Sequence, residues 1–141
     1  MRRGITLPEL ILVLAILGVL TGIAVPRVQR LSDSLAVQQA ALEIVSAHSR
    51  ARMSAVLQSR VLELSIRADT LAIRVPGSPE NLWHSPGPAA QGVALTGPTH
   101  ALRFSPVGLT FGLSNGTYRL SRGSATRSVV VSRLGRVRIE P

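Results

Sequence analysis

The chain has 141 residues and no cysteine, and 16 basic residues against 7 acidic ones give a formal charge of +9. That length holds one membrane helix and one small globular domain, and the lack of thiols excludes a disulfide framework or a thiolate metal site. The basicity is uneven: charges balance between residues 31 and 99, whereas seven arginines from Arg103 to Arg138 face Glu140 alone.

A short basic head, Met1-Arg2-Arg3-Gly4, precedes an apolar run from Ile5 to Val25 whose only acidic group is Glu9. The run meets the ~20 residues that a transmembrane helix needs. A charge at the centre of such a span costs roughly 2.5–3.5 kcal/mol on insertion scales, and less near its end, where Glu9 lies. An ionisable group kept in apolar surroundings is a functional candidate with a partner to be named. No good small-x-small cleavage site follows the apolar core, which argues against a secretory signal. The competing reading is a plain signal anchor with a stray acid. By the positive-inside rule the arginines hold the N-terminus in the cytoplasm and place the remainder outside it.

Gly4, an apolar residue, then Thr6-Leu7-Pro8-Glu9-Leu10 and an apolar helix resemble the N-terminus of a type IV prepilin. The resemblance implies that a prepilin peptidase removes residues 1–4 by cutting between Gly4 and Ile5, and that the new amine of Ile5 is methylated. The family usually carries Phe at the new N-terminus, where Ile5 stands here. It also implies that Glu9 attracts the amine of a neighbouring subunit during assembly. The residues support a pairing of this kind independently: Ile5 and Glu9 are four apart, on one helix face, and a partnered carboxylate is far less costly in low dielectric than a lone one.

Beyond the span (5–26), Pro26 marks a bend or a loosened turn, with Gly18 and Gly22 upstream. Residues 27–60 read as an amphipathic helix. Val28, Leu31, Leu35, Leu42, Val45, Met53 and Val56 recur at helical spacing, interrupted by Gln38 and Ser49, and this stripe is expected to pack on a sheet. Six alanines between Ala36 and Ala55 add helix propensity. Unbroken from Ile5, the helix would measure roughly 80 Å.

Residues 61–141 read as a β domain. Leu62–Ala68 and Leu71–Val75 alternate apolar and polar residues as half-buried strands do. Five prolines and four glycines make 76–99 an irregular excursion with one short strand at Val93–Leu95. Within it, Trp83 either covers an apolar gap on the sheet or forms an exposed contact. Five short strands follow, at Ala101–Ser105, Thr110–Leu113, Thr117–Ser121, Ser128–Ser132 and Arg136–Ile139. Asn115-Gly116 gives a type I′ hairpin signal, and Arg122-Gly123-Ser124 and Leu134-Gly135 mark further turns.

No catalytic set emerges. His48, His84 and His100 lack ligand spacing, the serines follow no nucleophile-elbow pattern, and no cofactor or metal is implied. The arginines of the tail offer a sharper choice. Period-two spacing puts Arg136 and Arg138 on one face of a strand, and Arg133 can join them across the Gly135 turn. Such a row suits phosphate, because each guanidinium presents planar, bidentate donors. It would equally solubilise the outer face and blunt an edge strand.

The blocks Phe104–Gly108, Tyr118-Arg119-Leu120 and Val129–Ile139 resemble the GspH/FimT branch of minor pilins and pseudopilins. With the N-terminal match, the resemblance covers most of the chain outside 76–99. It implies an α+β, type IV pilin-like fold, with a long N-terminal helix packed on antiparallel sheet. It implies a non-enzymatic subunit at or near the tip of a filament, serving type II secretion or a type IV pilus. Implied partners are the prepilin peptidase, other pilin or pseudopilin subunits and an inner-membrane assembly platform. Before assembly the chain would span the bacterial inner membrane once, with its C-terminal domain in the periplasm. Some members of the FimT branch bind DNA during uptake through a Gly-Arg-x-Arg tail, which Gly135-Arg136-Val137-Arg138 matches.

Overall fold

The computed structural model describes residues 6–141, save the side chain of Ile23. Helix α1 runs Leu7–Leu57 and contains Pro26. Two compact units divide between Ser32 and Asp33. In the first unit, the described residues are helical from Leu7 on, and the large apolar side chains from Leu7 to Leu31, Ile23 apart, are exposed. Thr21 donates its hydroxyl to the Leu17 carbonyl at 2.7 Å. Its polar group is thus satisfied inside the helix, as an apolar environment demands.

The second unit packs the C-terminal part of α1 against two antiparallel sheets. Strands β1 (Leu62–Ile66), β2 (Thr70–Arg74), β3 (Asn81–Pro86), β5 (Leu102–Phe104) and β6 (Thr110–Phe111) form one sheet in the order β3-β2-β1-β5-β6. Strands β4 (Ala94–Thr96), β7 (Gly116–Arg122), β8 (Ala125–Val131) and β9 (Val137–Glu140) form the other, in the order β4-β7-β8-β9. Period-two alternation sends Leu62, Leu64, Leu102 and Phe104 from the first sheet, and Tyr118, Leu120, Val129 and Val131 from the second, into one core.

The helix face that meets this core is not the stripe of large residues expected from the spacing. The buried face is Val37, Ala40, Ala41, Ile44, Ala47, Ala51 and Ala55. Leu35 is 61% exposed, Leu42 52% and Met53 60%. The helix contributes mostly small side chains to this core, and the large residues of the two sheets, such as Leu62, Leu102, Phe104 and Tyr118, supply its bulk. Of the expected stripe, Leu35, Leu42 and Met53 lie on the face of the helix turned away from the core, whereas Val45 packs against it, so this part of α1 is apolar on two faces.

The irregular excursion at 76–99 also needs correction. It contains β3, a short 3-10 turn at Pro88–Gln91 and β4, shifted by one residue from the expected strand. Gly87 permits this path, because a Cβ there would lie 2.5 Å from the Ala68 carbonyl oxygen. Trp83 pairs with Ile73 and packs against the core while half-buried, with the Arg50 guanidinium 5.2 Å from its ring. Asn115-Gly116 makes no hairpin. Strands β6 and β7 belong to different sheets, and this dipeptide carries the chain from one to the other. Gly116 is kept small by Pro98, whose Cγ would lie 2.5 Å from an added Cβ.

Candidate functional site

At the start of α1, Glu9 occupies the first turn, where a carboxylate is favoured by the helix dipole. Its Oε2 accepts a hydrogen bond from the Thr6 amide at 3.4 Å. Thr6-Leu7-Pro8-Glu9 therefore forms the carboxylate half of a capping box, and Pro8 sits in the first turn, where its missing N–H costs nothing. Glu9 is exposed, so the carboxylate that caps its own helix is also open to a partner. Gly4 and Ile5, the expected cleavage and methylation positions, lie outside the described residues. Pro26 lies within α1, which is assigned helical on both sides of it.

The uncovered face of α1 is the second feature. Within the compact unit it comprises Leu35, Leu42, Met53 and Val56, with Val45 partly shielded. The Pro106-Val107-Gly108 turn borders this face at Val56: an added Cβ on Gly108 would lie 3.0 Å from Val56 Cγ2 and 3.3 Å from Arg52 Nε. Gln38 and Ser49 interrupt this row, yet large apolar side chains left open along one face of a folded domain point to a contact surface.

The third feature is basic. Arg136 and Arg138, with Arg52 from α1, line an open groove of about 530 Å³ together with Val130, Ser132 and Leu134. The tight turn that aims them is held by the Gly135 amide donating to the Ser132 carbonyl at 2.9 Å and the Arg136 amide donating to Ser132 Oγ at 3.0 Å. Thr110 Oγ1 donates to the Arg133 carbonyl at 3.1 Å, which pins this turn to β6. Arg133 itself is exposed and does not line the groove, so the expected trio becomes Arg52, Arg136 and Arg138. Sequence reasoning missed Arg52, because only tertiary packing brings residue 52 beside the tail. Arg138 has Glu140 at 3.8 Å, a loose, exposed pair that contributes little.

Residues 40–135 match the model for type II transport protein GspH, and residues 1–25 match the prokaryotic N-terminal methylation motif. The chain belongs to the GspH family.

The pilin-like protein PilA1 of Thermus thermophilus is 34% identical, over 99% of this chain and 99% of its own. Two crystal forms of the type IV minor pilin FimU of Pseudomonas aeruginosa share the fold. Their TM-scores are 0.62 and 0.60 at 23% and 22% identity, with 74% of this chain covered and 88% and 92% of theirs. The architecture is thus the type IV pilin-like α+β fold, a long N-terminal helix packed on antiparallel sheets. The GspH-family chain is a structural, non-enzymatic minor pilin or pseudopilin of type II secretion or of a type IV pilus. Its methylation motif implies processing by prepilin peptidase, and its family implies other pilin subunits as partners. An N-terminal apolar helix bearing that motif fits anchoring in the inner membrane before assembly.

Proposed function

We propose that this chain is a minor subunit at or near the tip of a short filament assembled from the inner membrane. Residues 5–26 store it in the bilayer, with the N-terminus cytoplasmic and the β domain periplasmic. Cutting after Gly4 exposes the Ile5 amine, which is then methylated. On extraction by the inner-membrane assembly platform, Glu9 pairs with the corresponding amine of a neighbouring subunit. Pro26 supplies a point where the helix adjusts to the filament.

One observation carries this reading: α1 has a second apolar face, Leu35, Leu42 and Met53, that its own domain leaves bare. Neighbouring helices would cover it in a filament, and Glu9 would set which helices approach. Glu9→Ala is expected to leave cleavage and membrane insertion intact while lowering incorporation into sheared filaments at least tenfold. Normal incorporation of that variant would refute the docking role.

A second reading has its own support in the groove. Three guanidiniums from two elements, Arg52, Arg136 and Arg138, suit the backbone of DNA taken up by the machine. Few aromatics are available for base stacking, so binding would be electrostatic and indifferent to sequence. Three phosphate contacts give a log–log salt slope of about −3, and Arg136→Gln with Arg138→Gln removes about two units of it. A slope unchanged by that double substitution would exclude the groove.

A further inference from the structure

Among the described residues, the two sheets end in four edge strands, β3 and β6 in the first and β4 and β9 in the second. Three of these are poor templates for a further strand. β3 ends at Pro86, and its register with β2 shifts beside Arg74. β4 has three residues and β6 has two. β9 contains no proline or glycine and keeps a regular register along β8. Prolines, bulges and shortness are what blunt an edge, and β9 is the least blunted of the four.

The pairing of β9 shows which of its backbone groups stay free. The Ser132 amide donates to the Arg136 carbonyl at 2.8 Å, so these two residues face each other on the hydrogen-bonded side of the β8–β9 ladder. Antiparallel pairs alternate between bonded and non-bonded. Val130 with Arg138 and Ser128 with Glu140 are then the next bonded pairs, whereas Val137 and Ile139 turn their amides and carbonyls away from β8. Among the described residues, no turn or loop backbone pairs with these groups. The edge therefore presents a donor and an acceptor, twice over, at the spacing of a strand.

The side chains narrow the occupant. Val137 and Ile139 pack against the core yet are only half-buried, so the core is incompletely covered along this flank. Arg136 and Arg138 are exposed on the other face. Glu140, 3.8 Å from Arg138, forms a pair too weak to hold that guanidinium. A second copy of this chain is a poor occupant. Antiparallel pairing of two β9 strands over their full length brings Arg136 to Glu140 but sets Arg138 against Arg138, and like charges directly opposite destabilise a sheet. DNA phosphates could take the arginines, but they only accept hydrogen bonds and leave the two carbonyls unpaired.

We infer that β9 is a docking edge for an extended segment of another protein, added as an antiparallel strand in which apolar and acidic residues alternate. Its backbone pairs with Val137 and Ile139, its apolar side chains extend the cover over the core beside them, and its acids meet Arg136 and Arg138. Main-chain bonds supply affinity in such strand addition, and the alternate side chains supply specificity. This pairing rests neither on the docking of Glu9 nor on DNA uptake.

The test adds three peptides to the full chain in detergent micelles and follows amide hydrogen exchange residue by residue with NMR. Acetyl-Thr-Val-Glu-Val-Glu-amide carries the pattern. Acetyl-Thr-Pro-Glu-Pro-Glu-amide keeps the acids but lacks the N–H groups that would pair, and acetyl-Thr-Val-Arg-Val-Arg-amide reverses the charge. The first is expected to bind with a dissociation constant in the millimolar range, and at about ten times that concentration to slow the Val137 and Ile139 amides about tenfold. The other two should leave both amides unchanged. Arg138→Glu, at an exposed position, should keep the fold, weaken the first peptide about tenfold and make the charge-reversed peptide the tighter binder. Equal protection by the proline peptide, or protection that rises with protein concentration in the absence of peptide, would overturn the inference. So would amides left unprotected by every peptide, and a short DNA duplex that then shifts the Arg136 and Arg138 side-chain resonances would assign the edge to nucleic acid instead.

Discussion

Replacing Ile44 and Leu42 by alanine, one at a time, separates the two apolar faces of α1. Ile44 is fully buried, and its nearest helix neighbours on that face are Ala40, Ala41, Ala47 and His48. The alanines cannot expand to refill the space and His48 is packed against Phe104, so the cavity left by Ile44→Ala should persist. Removing a buried Ile side chain costs about 2–5 kcal/mol, and a site that cannot collapse belongs in the upper half of that range. At roughly 4–8 °C per kcal/mol for a domain of this size, the midpoint should fall by about 15 °C or more. Leu42 is two residues away in sequence and half-exposed, and leucine and alanine have nearly equal helix propensities. Leu42→Ala should therefore change stability by less than about 0.5 kcal/mol. Thermal unfolding of the full chain in detergent, followed by near-ultraviolet circular dichroism of Trp83 and Tyr118, reads both. A Leu42→Ala loss equal to that of Ile44→Ala would refute the assignment of the alanine-rich face to the core.

Two further perturbations follow from the packing. His48 is buried against Phe104, ring centroids 5.0 Å apart, and burial together with the nearby Arg52 charge holds its pKa below the usual 6.5. The unfolded chain thus binds that proton first as pH falls. The contribution is complete above pH 6.5 and is lost as pH drops from there through the folded value. Unfolding midpoints measured from pH 7.5 to pH 5 should decline more steeply for the wild type than for His48→Gln. Gly123 turns β7 into β8 at φ +55, and an added Cβ would run into the Asp33 carboxylate, which pairs with Arg122 at 3.0 Å. Gly123→Ala should cost about 1–3 kcal/mol through strain and the displaced pair, measurable by urea unfolding, whereas Gly77→Ala should cost less, because open space surrounds Gly77.

Much of this molecule was legible in the residues themselves. The long helix, the strands at Leu62–Ile66 and Thr70–Arg74, and the Arg122-Gly123-Ser124 turn all announce themselves by local chemistry. The buried face of α1 did not. Hydropathy ranks Leu35, Leu42 and Met53 above Ala40, Ala47 and Ala51, yet the alanine face is the buried one, because the strands already supply the large side chains of the core. A chain that assembles has apolar residues facing both its own core and its partners, and periodicity alone cannot assign the two. Asn115-Gly116 misled for a similar reason, since its local turn preference says nothing about which sheet receives the next strand. Of the candidate sites, Glu9 and the Arg136–Arg138 pair were visible as a misplaced charge and a period of two. Arg52 joins that pair only because distant segments meet.

The absence of cysteine makes one experiment decisive for the filament account. Single cysteines at Leu42 and Met53, on the open face of α1, would be oxidised in cells expressing the assembled machine together with matching cysteine variants of its other pilin subunits. The account predicts disulfide-linked pairs from both positions, and their disappearance when Glu9→Ala is added. Pairs that form equally well without the Glu9 carboxylate, or cysteines at both positions that never couple to a neighbouring subunit, would contradict it.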